Sequence, residues 1–191
     1  IANEVLDCLP ARQFVRTEGG WAERRIGVTD DGDLTFGLVA INEGFTEPPL
    51  QIEPGQIFEI SEQQAGFARD LAVLVSQAKG AALLIDYGRA QPEAGDTLQA
   101  LKRHQKVGPL DDPGEADLTQ WADYPLVLEA AVRSGADVTG TITQSRFLGS
   151  LGIEHRAASL ARARPEAEDI ILRQFHRLTS HDQMGELFKV A

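Results

Sequence analysis

Carboxylates are the side chains through which this sequence could do chemistry. Asp86 ends an unbroken apolar run, Ala81-Ala82-Leu83-Leu84-Ile85, and precedes Tyr87 and Gly88. So short a run without alternation fits a strand buried on both faces, as in parallel sheets covered by helices. Ligands of open α/β sheets sit beyond the carboxyl ends of the strands. Asp86 is therefore expected to face such a crevice. The competing reading is a loop cap, with the carboxylate accepting backbone amides. Asn3, Glu4 and Asp7 follow Ile1-Ala2, which reads as the end of another buried strand. Asp117-Leu118-Thr119-Gln120-Trp121-Ala122-Asp123-Tyr124 gathers carboxylates, a hydroxyl and aromatics beside a helix start. There the competing reading is that Asp123 caps the helix while Trp121 and Tyr124 pack, and capping preferences are strong. Asp96, Thr97 and His104 form a third group, in which the near-neutral pKa of imidazole makes His104 a candidate base.

Other chemistries lack their patterns. The sequence holds no GxGxxG, no Walker lysine loop, no HExxH, no paired CxxC and no nucleophile elbow. Its four His and one Cys show no zinc-ligand spacing.

The elements that must position these groups read as α/β. Ser61 opens a helix over 61–79, with Gln64 completing a capping box and Ile60 placed to staple onto Ala65. Phe67, Ala68, Leu71, Leu74, Val75 and Ala78 recur at helical spacing, and Gly80 offers a left-handed stop. The strand of Asp86 follows at once, which completes half of a βαβ unit. Residues 11–40 have another texture. Phe14, Trp21, Ile26, Leu34 and Phe36 alternate in part, and Gly19-Gly20 and Asp31-Gly32 punctuate them. An antiparallel β-meander inserted into, or lying beside, the α/β sheet is expected there, with one face packed on the domain. Residues 41–57 read as a loop. Residues 89–121 lack a strong period, admit a short helix over 98–105, and read as a functional loop. Asp123 and Pro125 open a helix ended by Gly135. A strand over 138–143, a short helix from Ser145 to Leu151, an amphipathic helix over 166–178 with Ile170, Ile171, Phe175 and Leu178 inward, and a strand over 187–190 complete the chain.

The totals bound the partners. The 191 residues suffice for one domain, and 42% hydrophobic with 25% charged residues is globular composition. A net charge of −11 argues against a general nucleic-acid binder and leaves room for an Arg- or Lys-rich partner segment. No run approaches the ~18 apolar residues of a membrane span. Cys8 is the one cysteine, which excludes an internal disulfide and points to a reducing compartment. Residue 1 is Ile, and the opening residues read as the tail of a strand, so a C-terminal part of a longer protein is expected.

Six stretches in order resemble one family: ANEVLDCLPARQ (2–13), ALLIDYG (82–88), GDTLQALKRHQ (95–105), DLTQWADY (117–124), TQSRFLGSLGI (143–153) and MGELFKV (184–190). Together they are similar to the MidA-type S-adenosylmethionine-dependent methyltransferases. The resemblance implies a Rossmann-like class I methyltransferase sheet, with residues 1–2 ending its fourth strand, 81–86 its fifth, and 138–143 and 187–190 its antiparallel edge. It implies S-adenosylmethionine as cofactor, with the glycine-rich binding loop outside this chain, so that the 191 residues alone are expected to be inactive. The mitochondrial members are protein arginine methyltransferases that assist assembly of respiratory complex I. A protein substrate with a target arginine follows, and a location in the mitochondrial matrix, or in the cytoplasm of a bacterium. A guanidinium stays protonated below pH ~12 and needs carboxylates to position it. On this reading Asn3 and Asp86 serve the cofactor, and Glu4, Asp117 and Asp123 the reaction. Where the family has a His-containing variant of the DLT block, this chain has Gln120-Trp121, which removes a base there. The alternative from another class is a non-catalytic assembly factor that keeps the fold.

Overall fold

The structure, a computed structural model, describes residues 1–41 and 45–191. A short strand β1 (Ala2–Asn3) is followed by β2 (Arg12–Thr17), β3 (Gly20–Val28), β4 (Leu34–Ala40) and β5 (Ile57–Ile60). Helix α1 (Glu62–Ala78) leads into β6 (Leu84–Arg89). Then come β7 (Gln99–Lys102), β8 (Gln105–Val107), β9 (Asp117–Thr119), β10 (Ala122–Asp123) and α2 (Tyr124–Arg133). The chain ends with β11 (Ile142–Thr143), α3 (Gln144–Ser150), α4 (Ile153–Ala163), α5 (Glu168–Thr179), α6 (Met184–Leu187) and β12 (Phe188–Val190). No helix among the described residues is long and apolar enough to cross a membrane.

The central sheet has the order β1-β6-β12-β11. β1 runs parallel to β6 with Asn3 opposite Ile85, and β12 runs antiparallel between β6 and β11. β10 joins β6 in parallel further along, with Ala122 opposite Gly88. Glu4 donates its amide to the Ile85 carbonyl at 3.0 Å, so Glu4 and Asp86 lie side by side where β1 ends. The strand of Asp86 is displaced from its expected place. It spans Leu84–Arg89 rather than 81–85, because β1, β12 and β10 pair with it only there. Asp86 thus stands inside the strand, opposite Lys189, and not beyond its end.

Helix α1 covers this sheet for the local reasons its sequence states. The Gln64 amide donates to Ser61 Oγ at 3.1 Å, but the buried face is turned toward Ala65, Ala68 and Ala72, while Leu74 and Ala78, expected inward, are exposed and Phe67, Leu71 and Val75 are half-buried. The left-handed residue at its end is Lys79 (φ 49°) rather than Gly80. Leu6, Leu84, Ala122, Tyr124 and Val127 join the helix alanines in one core.

The expected strands over 11–40 form, with β2 paired to β3 and β3 to β4, all antiparallel. A fourth strand, β5, pairs with β2 just after the loop expected over 41–57, of which residues 42–44 lie outside the described residues. Packing reaches only part of this sheet: Phe14 of β2 is fully buried, while β4 is exposed along most of its length. The expected loop over 89–121 contains a second small sheet of order β8-β7-β9. The helix expected over 98–105 is a hairpin whose turn residues, Arg103 (φ 52°) and His104 (φ 64°), are both left-handed. That is the twist two-residue hairpins require. The strand over 138–143 shrinks to two residues, and α4 lies where no helix was read. Thr143, not Ser145, caps α3, and Ile170 of α5 is 51% exposed rather than inward.

Gly88 marks the closest pass of this fold. A Cβ there would lie 2.1 Å from the Ala122 carbonyl oxygen. Gly88→Ala is expected to lower the unfolding free energy by about 1–3 kcal/mol by pushing β10 off β6. Gly27→Ala, where the Cβ meets nothing within 4 Å, is the control. Urea midpoints check both, and equal values would refute the clamp.

Candidate active site

The site is built on the turn that follows β1. Asn3 and Glu4 are exposed, and Asn3 Nδ2 donates to Glu4 Oε1 at 3.1 Å. Glu4 is left-handed (φ 51°), a conformation that costs a side-chain-bearing residue about 1 kcal/mol or more. What holds it is Asp86. The amides of Val5, Leu6 and Asp7 all donate to Asp86 Oδ2, at 3.0, 2.9 and 3.2 Å. The Tyr87 amide donates to Oδ1 at 2.9 Å. Asp86 is 1% exposed. Burial, with the negative charge of Asp7, pushes its carboxyl up to about 6 although the amides favour the anion. Tyr87 Oη donates to Asp7 Oδ2 at 2.5 Å, and burial raises the phenol's pKa.

Two glutamines complete the frame. Gln64, fully buried, donates to the carbonyls of Leu6 (2.9 Å) and Trp121 (3.3 Å) and accepts from the Asp123 amide (2.9 Å). The Gln120 amide donates to the Asp7 carbonyl at 2.9 Å, and its side chain donates to the Leu9 carbonyl. The turn after β1 is thereby fixed by α1, by β6 and by the segment before β10.

A second polar centre lies behind it. Glu59 of β5 accepts from Arg89 Nη2 (2.9 Å), Gln13 Nε2 (2.8 Å), the Thr97 amide (3.0 Å) and Thr97 Oγ1 (2.6 Å). The Arg89 and Glu59 side chains are 2% and 3% exposed. Arg89 Nη1 donates to the Glu93 carbonyl at 2.5 Å, while the buried Nε has no hydrogen-bond partner and lies 3.9 Å from Asp123 Oδ2. A cavity of about 500 Å³ opens beside Arg89, Glu93, Thr97, Lys106 and Trp121. A second, apolar cavity of about 260 Å³ lies between α1 and α2 at Ala82 and Leu84, toward the amino end of β6 and away from these groups.

The residues singled out in the sequence separate in space. Asn3 and Glu4 stand together, open to solvent, with Asp86 beneath them. Asp86, expected beside a cofactor, accepts from four backbone amides, three of them in the turn that carries Glu4. Asp123 caps α2, accepting from the Leu126 amide at 3.0 Å, and burial pushes its carboxyl up. Asp117 is exposed on β9, in the small sheet rather than beside Glu4's strand. Asp96 binds Arg24 and Gln13, Thr97 binds Glu59, and His104 occupies the exposed β7–β8 turn. Glu59, Arg89 and the hub role of Gln64 were not legible. The capping box drew attention to Gln64, but its side chain reaches residues 57 to 59 positions away.

The comparisons with known proteins agree with this architecture. A family model described as "Putative S-adenosyl-L-methionine-dependent methyltransferase" matches residues 1–142. The mitochondrial protein arginine methyltransferase NDUFAF7 homologue of Drosophila melanogaster is 34% identical over 99% of this chain and 45% of its own length. The Caenorhabditis elegans homologue is 32% identical over 84% of this chain and 38% of its own. A Burkholderia thailandensis structure with S-adenosyl-homocysteine bound superposes with a TM-score of 0.83 at 28% identity, over 98% of this chain and 51% of that one. The chain thus spans less than half the length of these curated relatives. With 142 of its 191 residues matched and its sheet superposing on a methyltransferase-family neighbour, this chain belongs to the S-adenosylmethionine-dependent methyltransferase family, with a class I fold.

Proposed function

We propose that residues 1–191 are the acceptor-side part of an S-adenosylmethionine-dependent protein arginine methyltransferase, one serving assembly of respiratory complex I, as the family resemblance implies. A eukaryotic source would place it in mitochondria with its named relatives, a bacterial one in the cytoplasm. The observation that carries the reading is the Asp86-anchored turn, which presents Asn3 and Glu4 at the carboxyl end of β1, beside Ile85 and Asp86 of parallel β6. The donor set suits the cofactor: the carboxamide of Asn3, exposed on a rigid turn, matches the polar groups of an amino-acid end, while the Glu4 carboxylate beside it serves the acceptor. When bound, S-adenosylmethionine supplies an electrophilic methyl group.

The chain's own residues then act on the acceptor. Asn3 donates to Glu4 Oε1, which leaves Oε2 to accept an N–H of the substrate guanidinium and to receive the proton it loses. Asp117, exposed on β9, adds negative field for a cationic acceptor, while Asp86 and Asp123 act by holding backbone. In this reading the glycine-rich loop that cradles the cofactor lies outside residues 1–191, in keeping with the absence of a GxGxxG.

The test is methyl transfer to an arginine peptide by the full-length protein. Glu4→Gln is expected to lower kcat about 10²-fold or more while cofactor affinity changes little. Unaltered turnover would remove Glu4 from the chemistry. The isolated 191-residue chain is expected to show no micromolar cofactor binding by calorimetry, and a measured micromolar Kd would place the cofactor site within it. A full-length protein that binds no cofactor would support the alternative, a fold-retaining assembly factor.

A further inference from the structure

The outer edge of the meander is unprotected. β4 ends the sheet ordered β4-β3-β2-β5, and among the described residues nothing pairs with its outer side. Exposed edge strands are ordinarily short, charged, bulged or broken by proline, because a row of open N–H and C=O groups templates strand addition. β4, with sequence LTFGLVA, has no charge and no proline, and stays in unbroken register with β3 from Val28–Leu34 to Ala22–Ala40.

The face beside that edge is apolar. Ile26 and Val28 of β3 and Leu34 and Leu38 of β4 share one side of the outer strands and are 57%, 68%, 37% and 54% exposed. They surround Phe36, over which the Arg24 guanidinium lies 4.3 Å from the ring centre. The hairpin tip is acidic, with Asp30, Asp31 and Asp33 all exposed.

We propose that the open edge of β4 docks the methyl-acceptor protein, taking from it an extended segment of alternating apolar and basic residues as an added strand. Backbone pairing supplies affinity in such additions, and side chains supply specificity. Apolar residues of the added strand extend the row beside Phe36 and Leu38 as cross-strand neighbours. Basic residues at its end meet the aspartates of the tip. A second copy of this chain is the poorer occupant, because two molecules each carrying a net charge of −11 repel. The same charge draws a basic segment. β2 is the strand that follows the turn bearing Glu4 in the chain, and β4 is two strand spacings from β2, about 10 Å. The proposal rests on the reading of the acceptor as a protein.

Amide hydrogen exchange of the full-length protein tests it, with a short synthetic peptide alternating arginine and valine as probe. Exchange over residues 34–40 is expected to slow about tenfold or more when the peptide is added. A version with glutamate for arginine should leave it unchanged, and both Leu38→Lys and the Asp30→Lys/Asp31→Lys pair should abolish the protection. Unchanged exchange with the arginine peptide would overturn the docking site. Protection of 34–40 without peptide, together with a dimer mass in sedimentation, would overturn it in favour of a second copy. Cofactor affinity is measured separately by calorimetry. A protein that binds cofactor without edge protection refutes the docking site alone. One that shows edge protection without binding cofactor refutes the methyltransferase reading alone.

Discussion

Arg89→Met is expected to destabilise the protein by about 3–5 kcal/mol, a large share of the ~5–15 kcal/mol that holds a typical domain folded. The reason is the charge left behind. Glu59 is almost wholly buried, and its Oε2 accepts from Arg89 Nη2 at 2.9 Å. Methionine fills much of the volume but offers no cation, so an uncompensated carboxylate remains inside. Glu59 is also held by the Gln13 side chain and by the amide and hydroxyl of Thr97. The double variant Glu59→Gln/Arg89→Met should regain part of the loss, since a neutral amide can still accept from Thr97 and carries no buried charge. Urea denaturation of the full-length protein checks this. A fall below about 1 kcal/mol for the single variant, or no recovery in the double, would mean that the pair is not the tie between the meander and β6.

Asp86→Ala is expected to cost a similar amount, about 3–5 kcal/mol, and to remove activity as well. The substitution leaves the amides of Leu6 and Asp7 buried without an acceptor, each at about 1–3 kcal/mol, with those of Val5 and Tyr87 also released. The left-handed Glu4 then loses what imposes its conformation. The pH dependence gives an independent signature. The carboxyl sits at about 6 in the fold against 3.8 ordinarily. A raised folded value means that the native state binds the proton more tightly. This contribution to stability is complete below pH ~4 and is lost as the pH rises through ~6, by roughly 3 kcal/mol at most. The wild type minus Asp86→Ala difference in unfolding free energy should therefore shrink across that window. A difference that stays flat from pH 4 to 7 would show that burial does not govern this carboxyl.

The elements most legible in the sequence were those written in short-range patterns. The Ser61 cap, the helical period of α1, the Asp123–Pro125 helix start and the strands of the meander depend on residues within a few positions of one another. Capping, periodicity and turn chemistry act at that range. The β7–β8 hairpin was misread as helix because its turn residues are Arg103 and His104, which carry no Asn-Gly or Asp-Gly mark.

The sequence by itself determined the α/β class, the family and the presence of a carboxylate-bearing turn after β1. Only the tertiary structure decided which groups each carboxylate bonds. Asp86 looked free at a strand end, yet its Oδ2 accepts from three amides 79 to 81 positions away. Glu59 looked like one polar residue in IFEI, yet it anchors Arg89 and Thr97 from 30 and 38 positions off. A buried charge must be satisfied, but which distant group satisfies it depends on how strands and loops close on each other. Glu4 stands exposed on a turn whose amides converge on Asp86, and no local pattern in the chain records that.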